Sequence, residues 1–136
     1  MLREEGLTGT IIRCFYRVYD EMGFGFLESV YRRALERELR EAGLYFESEA
    51  LIDVWYRGDK VGHFRADLVI DRKVIVEIKA SAALGPADRK QLLNYLRASS
   101  VELGMLLHFG PKARFERLIF TNDQKRGRVH TVGVRP

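Results

Sequence analysis

Residues 63–81 read HFRADLVI, DRK and VIVEIKAS, that is, His63 to Ile70, Asp71 to Lys73 and Val74 to Ser81. Two β-branched, apolar runs flank three charged residues, the pattern of antiparallel strands joined by a tight turn. A three-residue loop pairs Ile70 with Val74. Period-2 alternation then places Phe64, Ala66, Leu68 and Ile70 on one face with Val74, Val76, Ile78 and Ala80, and that face is a core. The opposite face carries Asp67 directly across from Glu77, with Lys79 one step further along. Like charges opposed on a sheet destabilise it, and at a separation of roughly 5 Å in an intermediate dielectric two carboxylates repel by about 1 to 3 kcal/mol. The same register opposes Arg65 and Lys79, a second like-charge pair that calls for a bulge or a diverging strand end.

A divalent cation removes the carboxylate penalty. Oxygen-only ligands favour a hard ion such as Mg²⁺ or Mn²⁺. The Lys79 ammonium beside it would position or deprotonate a water, or stabilise charge on a phosphate under attack. These residue types point to metal-assisted phosphodiester hydrolysis. A surface hairpin with a charged outer face is the competing reading of the bare D…ExK pattern. Against it, two wholly apolar strands imply a buried sheet, where unpaired acids are rare.

The 136 residues are 46% apolar, which suits one compact domain with its own core. No apolar run approaches the roughly 18 residues that span a membrane, and Met1 to Glu5 lack signal-peptide anatomy, so a cytoplasmic protein is expected. The single cysteine, Cys14, excludes an internal disulfide and is expected to pack on a helix. Of the net charge of +4, residues 111–136 carry +5: Lys112, Arg114, Arg117, Lys125, Arg126, Arg128 and Arg135 stand against Glu116 and Asp123, and the rest of the chain sums to −1. The chain therefore reads as one domain over residues 1–120 and a basic tail over 121–136. That tail either neutralises nucleic-acid phosphates or is simply solvated.

From Thr8 to Met22, Ile11, Ile12, Phe15, Tyr16, Tyr19 and Met22 recur at helical spacing. Gly23-Phe24-Gly25 interrupts, and a second periodic run from Leu27 to Ala42 stops at Gly43. Glu28 sits in the first turn of this helix and shares a stripe with Tyr31 and Leu35; by itself it reads as an acid favoured by the helix dipole. Leu44 to Arg57 is strand-like, with Gly58-Asp59 as a hairpin signal. After the central hairpin, Pro86 opens a third helix running to about Arg97, on which Gln91 and Tyr95 share a face. Val101 to Phe109 and Ala113 to Phe120 read as strands about a Gly110-Pro111 turn. His108 reads as a strand residue facing a helix or solvent, and His63 lies at the far end of the Asp67 face. A helix between two strands permits parallel pairing, so the class is α/β with a mixed sheet.

Gly25 to Tyr31 reads G-x-x-E-x-x-Y, and the chain resembles the GxxExxY proteins, a family within the PD-(D/E)xK nuclease superfamily. Gly62 to Val69 resembles that family's aspartate segment and Val76 to Ala80 its E-x-K strand. Gln91 to Leu96 resembles the Q-x-x-x-Y helix of several exonuclease branches. Gly104 to Gly110 resembles the next strand, with His108 where Asn is expected. The likeness runs from about residue 8 to residue 120. It implies a restriction-endonuclease-like core, a mixed β-sheet flanked by helices. It further implies Glu28, Asp67 and Glu77 as ligands of Mg²⁺ or Mn²⁺, Lys79 acting on water or phosphate, Gln91 holding Lys79 or substrate, and Tyr95 on the same helix face. The expected activity is metal-dependent hydrolysis of nucleic acid, DNA above all. The alternative is a non-catalytic module that keeps the fold and binds nucleic acid or protein. A homodimer through the first helix and the strand around Trp55 and Tyr56 would set two sites on one duplex.

Overall fold

The computed structural model describes residues 4–126. Its elements are α1 (Glu5–Met22), α2 (Glu28–Glu41), β1 (Phe46–Tyr56), β2 (Asp59–Ile70), β3 (Val74–Lys79), α3 (Pro86–Ala98), β4 (Leu103–Phe109), β5 (Ala113–Ile119) and α4 (Asn122–Arg126). The strands form one sheet in the order β1-β2-β3-β4-β5. β3 and β4 run parallel and every other neighbouring pair antiparallel, so the sheet is mixed. A parallel pair needs a crossover, and α3 supplies it.

Helices cover both faces of the centre, which is why β3 and β4 read as almost unbroken apolar runs. On one face, Ile11 and Phe15 of α1 and Tyr31 and Leu35 of α2 pack on Leu68, Ile70, Val76 and Ile78, with Cys14 buried beside them. On the other, Leu92, Tyr95 and Leu96 of α3 pack on Ile75 and Leu106. Each fully buried Leu, Ile or Phe contributes roughly 1.5 to 3 kcal/mol. α1 ends where Gly23 turns to φ 69° and donates its N–H to the Tyr19 carbonyl at 2.8 Å. Pro86 opens α3, and the Asp88 carboxylate caps it by accepting the Gly85 N–H at 2.9 Å.

The central hairpin has the expected register, Ile70 opposite Val74. Three expectations need correction. Phe64 and Ala66 do not share the face of Leu68 and Ile70; they join the core beneath α3. The side change falls at Asp67, opposite which Glu49 in β1 adopts a left-handed φ of 49° and interrupts strict alternation. The first hairpin turns at Arg57-Gly58, not at Gly58-Asp59, because Tyr56 pairs with Asp59. Both turn residues have positive φ (50° and 87°), as a two-residue hairpin loop of the primed type demands. Finally, Arg65 does not oppose Lys79: the β2–β3 pairing ends at Leu68 and Val76, and the strands part beyond it.

Beyond Phe120, α4 folds back on the end of α3. Lys125 is buried there, donating to the carbonyls of Ser99 and Val101 at 2.9 and 2.6 Å, and burial pulls its pKa down to about 8. Part of the basic charge is thereby used inside the fold. Arg128 and Arg135, and the rest of the tail from residue 127, lie outside the described residues. No helix among the described residues is long and apolar enough to cross a membrane.

Candidate active site

Where β2 and β3 part, side chains take over the ladder. The Asp67 N–H donates to Glu77 Oε2 at 2.7 Å, and the Ile78 N–H donates to Asp67 Oδ2 at 2.7 Å. Each acid thus satisfies a backbone donor that the lost strand pairing would leave orphaned. A third acid arrives from the helical layer. Glu28, the first residue of α2, accepts the Ala80 N–H on Oε2 at 3.2 Å, immediately after the end of β3.

Lys79 leaves β3 toward α3. Its Nζ donates to Gln91 Oε1 at 2.9 Å and lies 3.8 Å from Asp88 Oδ1. One turn on, the Tyr95 hydroxyl points to the Arg65 carbonyl at 3.4 Å, and its ring packs on Phe64 with centroids 4.9 Å apart. The six residues singled out in the sequence therefore gather at the open end of the β2–β3 pair. His63 does not join them; it pairs with Asp53 along the β1–β2 ribbon.

The electrostatics follow from burial. Glu77 is only 3% exposed, and burial, then the charge of Asp67, pushes its pKa up to about 8. Burial also raises Asp67, with Glu28 adding to the shift and the Ile78 N–H and Lys79 opposing it. The Tyr95 phenol is pushed up to about 12 by burial and by the nearby Glu77 and Asp67. For both Asp67 and Glu77, burial first and the neighbouring acids second favour the protonated form.

Among the described residues, no three His, Cys, Asp or Glu side chains stand in an arrangement that could hold a metal ion. All three carboxylates here are turned onto backbone amides. The donor chemistry still fits a hard cation: the set is oxygen only, and each carboxylate uses one oxygen on an amide while retaining acceptor capacity.

Two features of the site are not assigned to it from the sequence. Asp88, read locally, is only a helix-capping acid. His108 is the β4 neighbour of Lys79 and is buried, with Nε2 2.8 Å from the Ser81 carbonyl and 3.2 Å from Ser81 Oγ, so it ties down the chain leaving β3. Gly110 makes room for this ring: a Cβ there would come within 2.5 Å of His108 Cε1.

A five-stranded mixed sheet whose parting strands present Asp, Glu and Lys defines a class, and sequence comparison agrees with it. Residues 5–118 match the PD-(D/E)XK nuclease superfamily, and the chain belongs to that superfamily. Among solved structures it is similar to the crystal structure of SSO0001, with a TM-score of 0.51 and 21% identity over 72% of this chain and 52% of that one. The chain thus spans about half the length of that protein, and the likeness is one of fold. No curated protein matches the chain. The α/β, restriction-endonuclease-like core is established on these grounds together.

Proposed function

We propose that this protein is a metal-dependent nuclease of the GxxExxY type that hydrolyses phosphodiester bonds of DNA. The observation that carries the reading is the Lys79 ammonium, held by Gln91 at 2.9 Å at the strand end where the Glu77 carboxylate accepts the Asp67 N–H and the Asp67 carboxylate accepts the Ile78 N–H. Asp67, Glu77 and Glu28 are the residues that would hold Mg²⁺ or Mn²⁺, by turning from their backbone amides toward the ion. Bound there, the ion supplies Lewis-acid polarisation of the scissile phosphate and a water of lowered pKa. Lys79 would orient the attacking water or stabilise charge growing on the phosphate oxygens. Gln91 keeps Lys79 on this face, and Tyr95, one turn further along α3, closes the far side of the site against β2.

The reading is tested by calorimetric titration of Mn²⁺ into wild type and Asp67→Ala, followed by cleavage assays on a broad set of nucleic acids. Mn²⁺ binding that vanishes with Asp67, and cleavage abolished in both Asp67→Ala and Lys79→Ala with circular dichroism unchanged, is the expected result. Cleavage surviving in both variants sinks the assignment. Salt-dependent nucleic-acid binding with no metal-dependent cleavage turns it toward the non-catalytic module.

A further inference from the structure

The short connection between α1 and α2 exposes apolar surface next to the acids. Phe24 and Phe26 are each 49% exposed, Leu27 74% and Val30 37%. Exposed apolar side chains grouped this way in sequence offer a surface on which an apolar partner can pack. The loop that carries it is built rather than loose. Gly23 and Gly25 take φ of 69° and 124°, conformations that residues with side chains rarely adopt, and so turn the chain on either side of Phe24. The Tyr31 hydroxyl donates to the Gly23 carbonyl and accepts the Phe26 N–H at 3.2 Å, while its buried ring stacks on Phe109 at 4.1 Å. Phe26 stands edge-on to the same ring, with centroids 5.9 Å apart and planes at 88°. Tyr31 therefore clamps the loop, while Phe24, Phe26 and Leu27 stay about half exposed or more.

The ridge is continuous with the site. Glu28 follows Leu27 directly, and its carboxylate holds the Ala80 N–H, one residue beyond Lys79. A nucleotide strand brings anionic phosphate and flat apolar ring faces within the same repeat. Lys79, with a cation that the acids would hold, addresses the first, and the exposed Phe24, Phe26 and Leu27 offer apolar faces for the second. In an intact duplex those ring faces are stacked on one another, whereas unpaired bases stack on aromatic side chains without sequence preference.

We propose that the Phe24 to Leu27 ridge stacks on unpaired bases beside the phosphodiester at the acid site, so that the substrate class is a single-stranded segment or unpaired end. This rests on the nuclease reading for what the site holds, but its test does not depend on cleavage. Fluorescence anisotropy in EDTA compares a labelled oligothymidine with a strand of equal length whose residues are abasic. The wild type binds the base-bearing strand at least about tenfold tighter. Phe24→Ala and Phe24→Ala/Phe26→Ala bind both strands alike, with circular dichroism unchanged, and Phe24→Trp keeps the preference.

A wild type that does not distinguish the strands, or a double variant that still does, overturns the proposal. So does a dimer, seen by light scattering, that disperses in the variants while the wild type shows no base preference; the ridge then contacts a second copy. A protein that prefers bases but cleaves nothing in Mg²⁺ or Mn²⁺ keeps the ridge and removes the nuclease reading. Cleavage without base preference does the reverse.

Discussion

Glu77 is the residue on which pH acts most directly. Its pKa in the folded chain is about 8, against an ordinary 4.5. The fold therefore favours its protonated form. The associated stability is fully present below about pH 4.5 and is lost as pH rises through about 8, on the order of 5 kcal/mol for a shift of this size. Asp67 is displaced in the same direction, so the two acids titrate as a pair. Without divalent metal, the Tm is expected to fall between pH 5 and pH 8. Glu77→Gln should flatten that slope, and Mn²⁺ should restore stability at pH 8 by binding the folded state alone. A Tm independent of pH over that window would falsify the coupling. Lys79 acts at the same scale. Removing Gln91 takes away its 2.9 Å partner and leaves the more distant Asp88, so Gln91→Ala should slow cleavage about ten- to a hundredfold with Tm almost unchanged. Wild-type turnover in that variant would mean that Lys79 is positioned by something else.

At the scale of the element, the G-x-x-E-x-x-Y stretch is a loop, a helix start and a clamp in one. Tyr31→Phe keeps the ring on Phe109 but leaves the Gly23 carbonyl and the Phe26 N–H without a side-chain partner. Urea denaturation should show a loss of about 1 to 3 kcal/mol, with the far-UV spectrum unchanged. An unaltered midpoint would mean that water replaces the hydroxyl at no cost. Helical spacing made the buried side of α2 legible, because Tyr31, Leu35 and Leu39 recur on one stripe. It said nothing of the use of Glu28, whose amide partner lies 52 residues away. Read locally, that acid satisfies a helix dipole; only the docking of α2 against the end of β3 gives it a second task. The same holds for α3, where Gln91 and Tyr95 were placed on one face by their spacing, while their contacts with Lys79 and Arg65 depend on where the crossover lays the helix.

Across the whole molecule, β3 and β4 serve two cores at once, one under α1 and α2 and one under α3. Neither core persists without the shared strands, so urea unfolding should be a single transition, with Trp55 fluorescence and far-UV circular dichroism coinciding. Separated midpoints would show that the two faces unfold independently. The amino-acid sequence by itself determined the principal helices, the strands, the register of Ile70 on Val74 and hence the meeting of Asp67 with Glu77, because alternation and turn length are local properties. It also determined membership of the superfamily, which five short motifs in order already indicated. Only the tertiary structure decided that β2 changes sides at Asp67, that the acids cap parting strands, that His108 holds Ser81, and that Phe24 and Phe26 are left half exposed on a loop clamped by Tyr31. Each of these depends on how distant segments dock against the sheet, and no residue's own neighbours along the chain encode that.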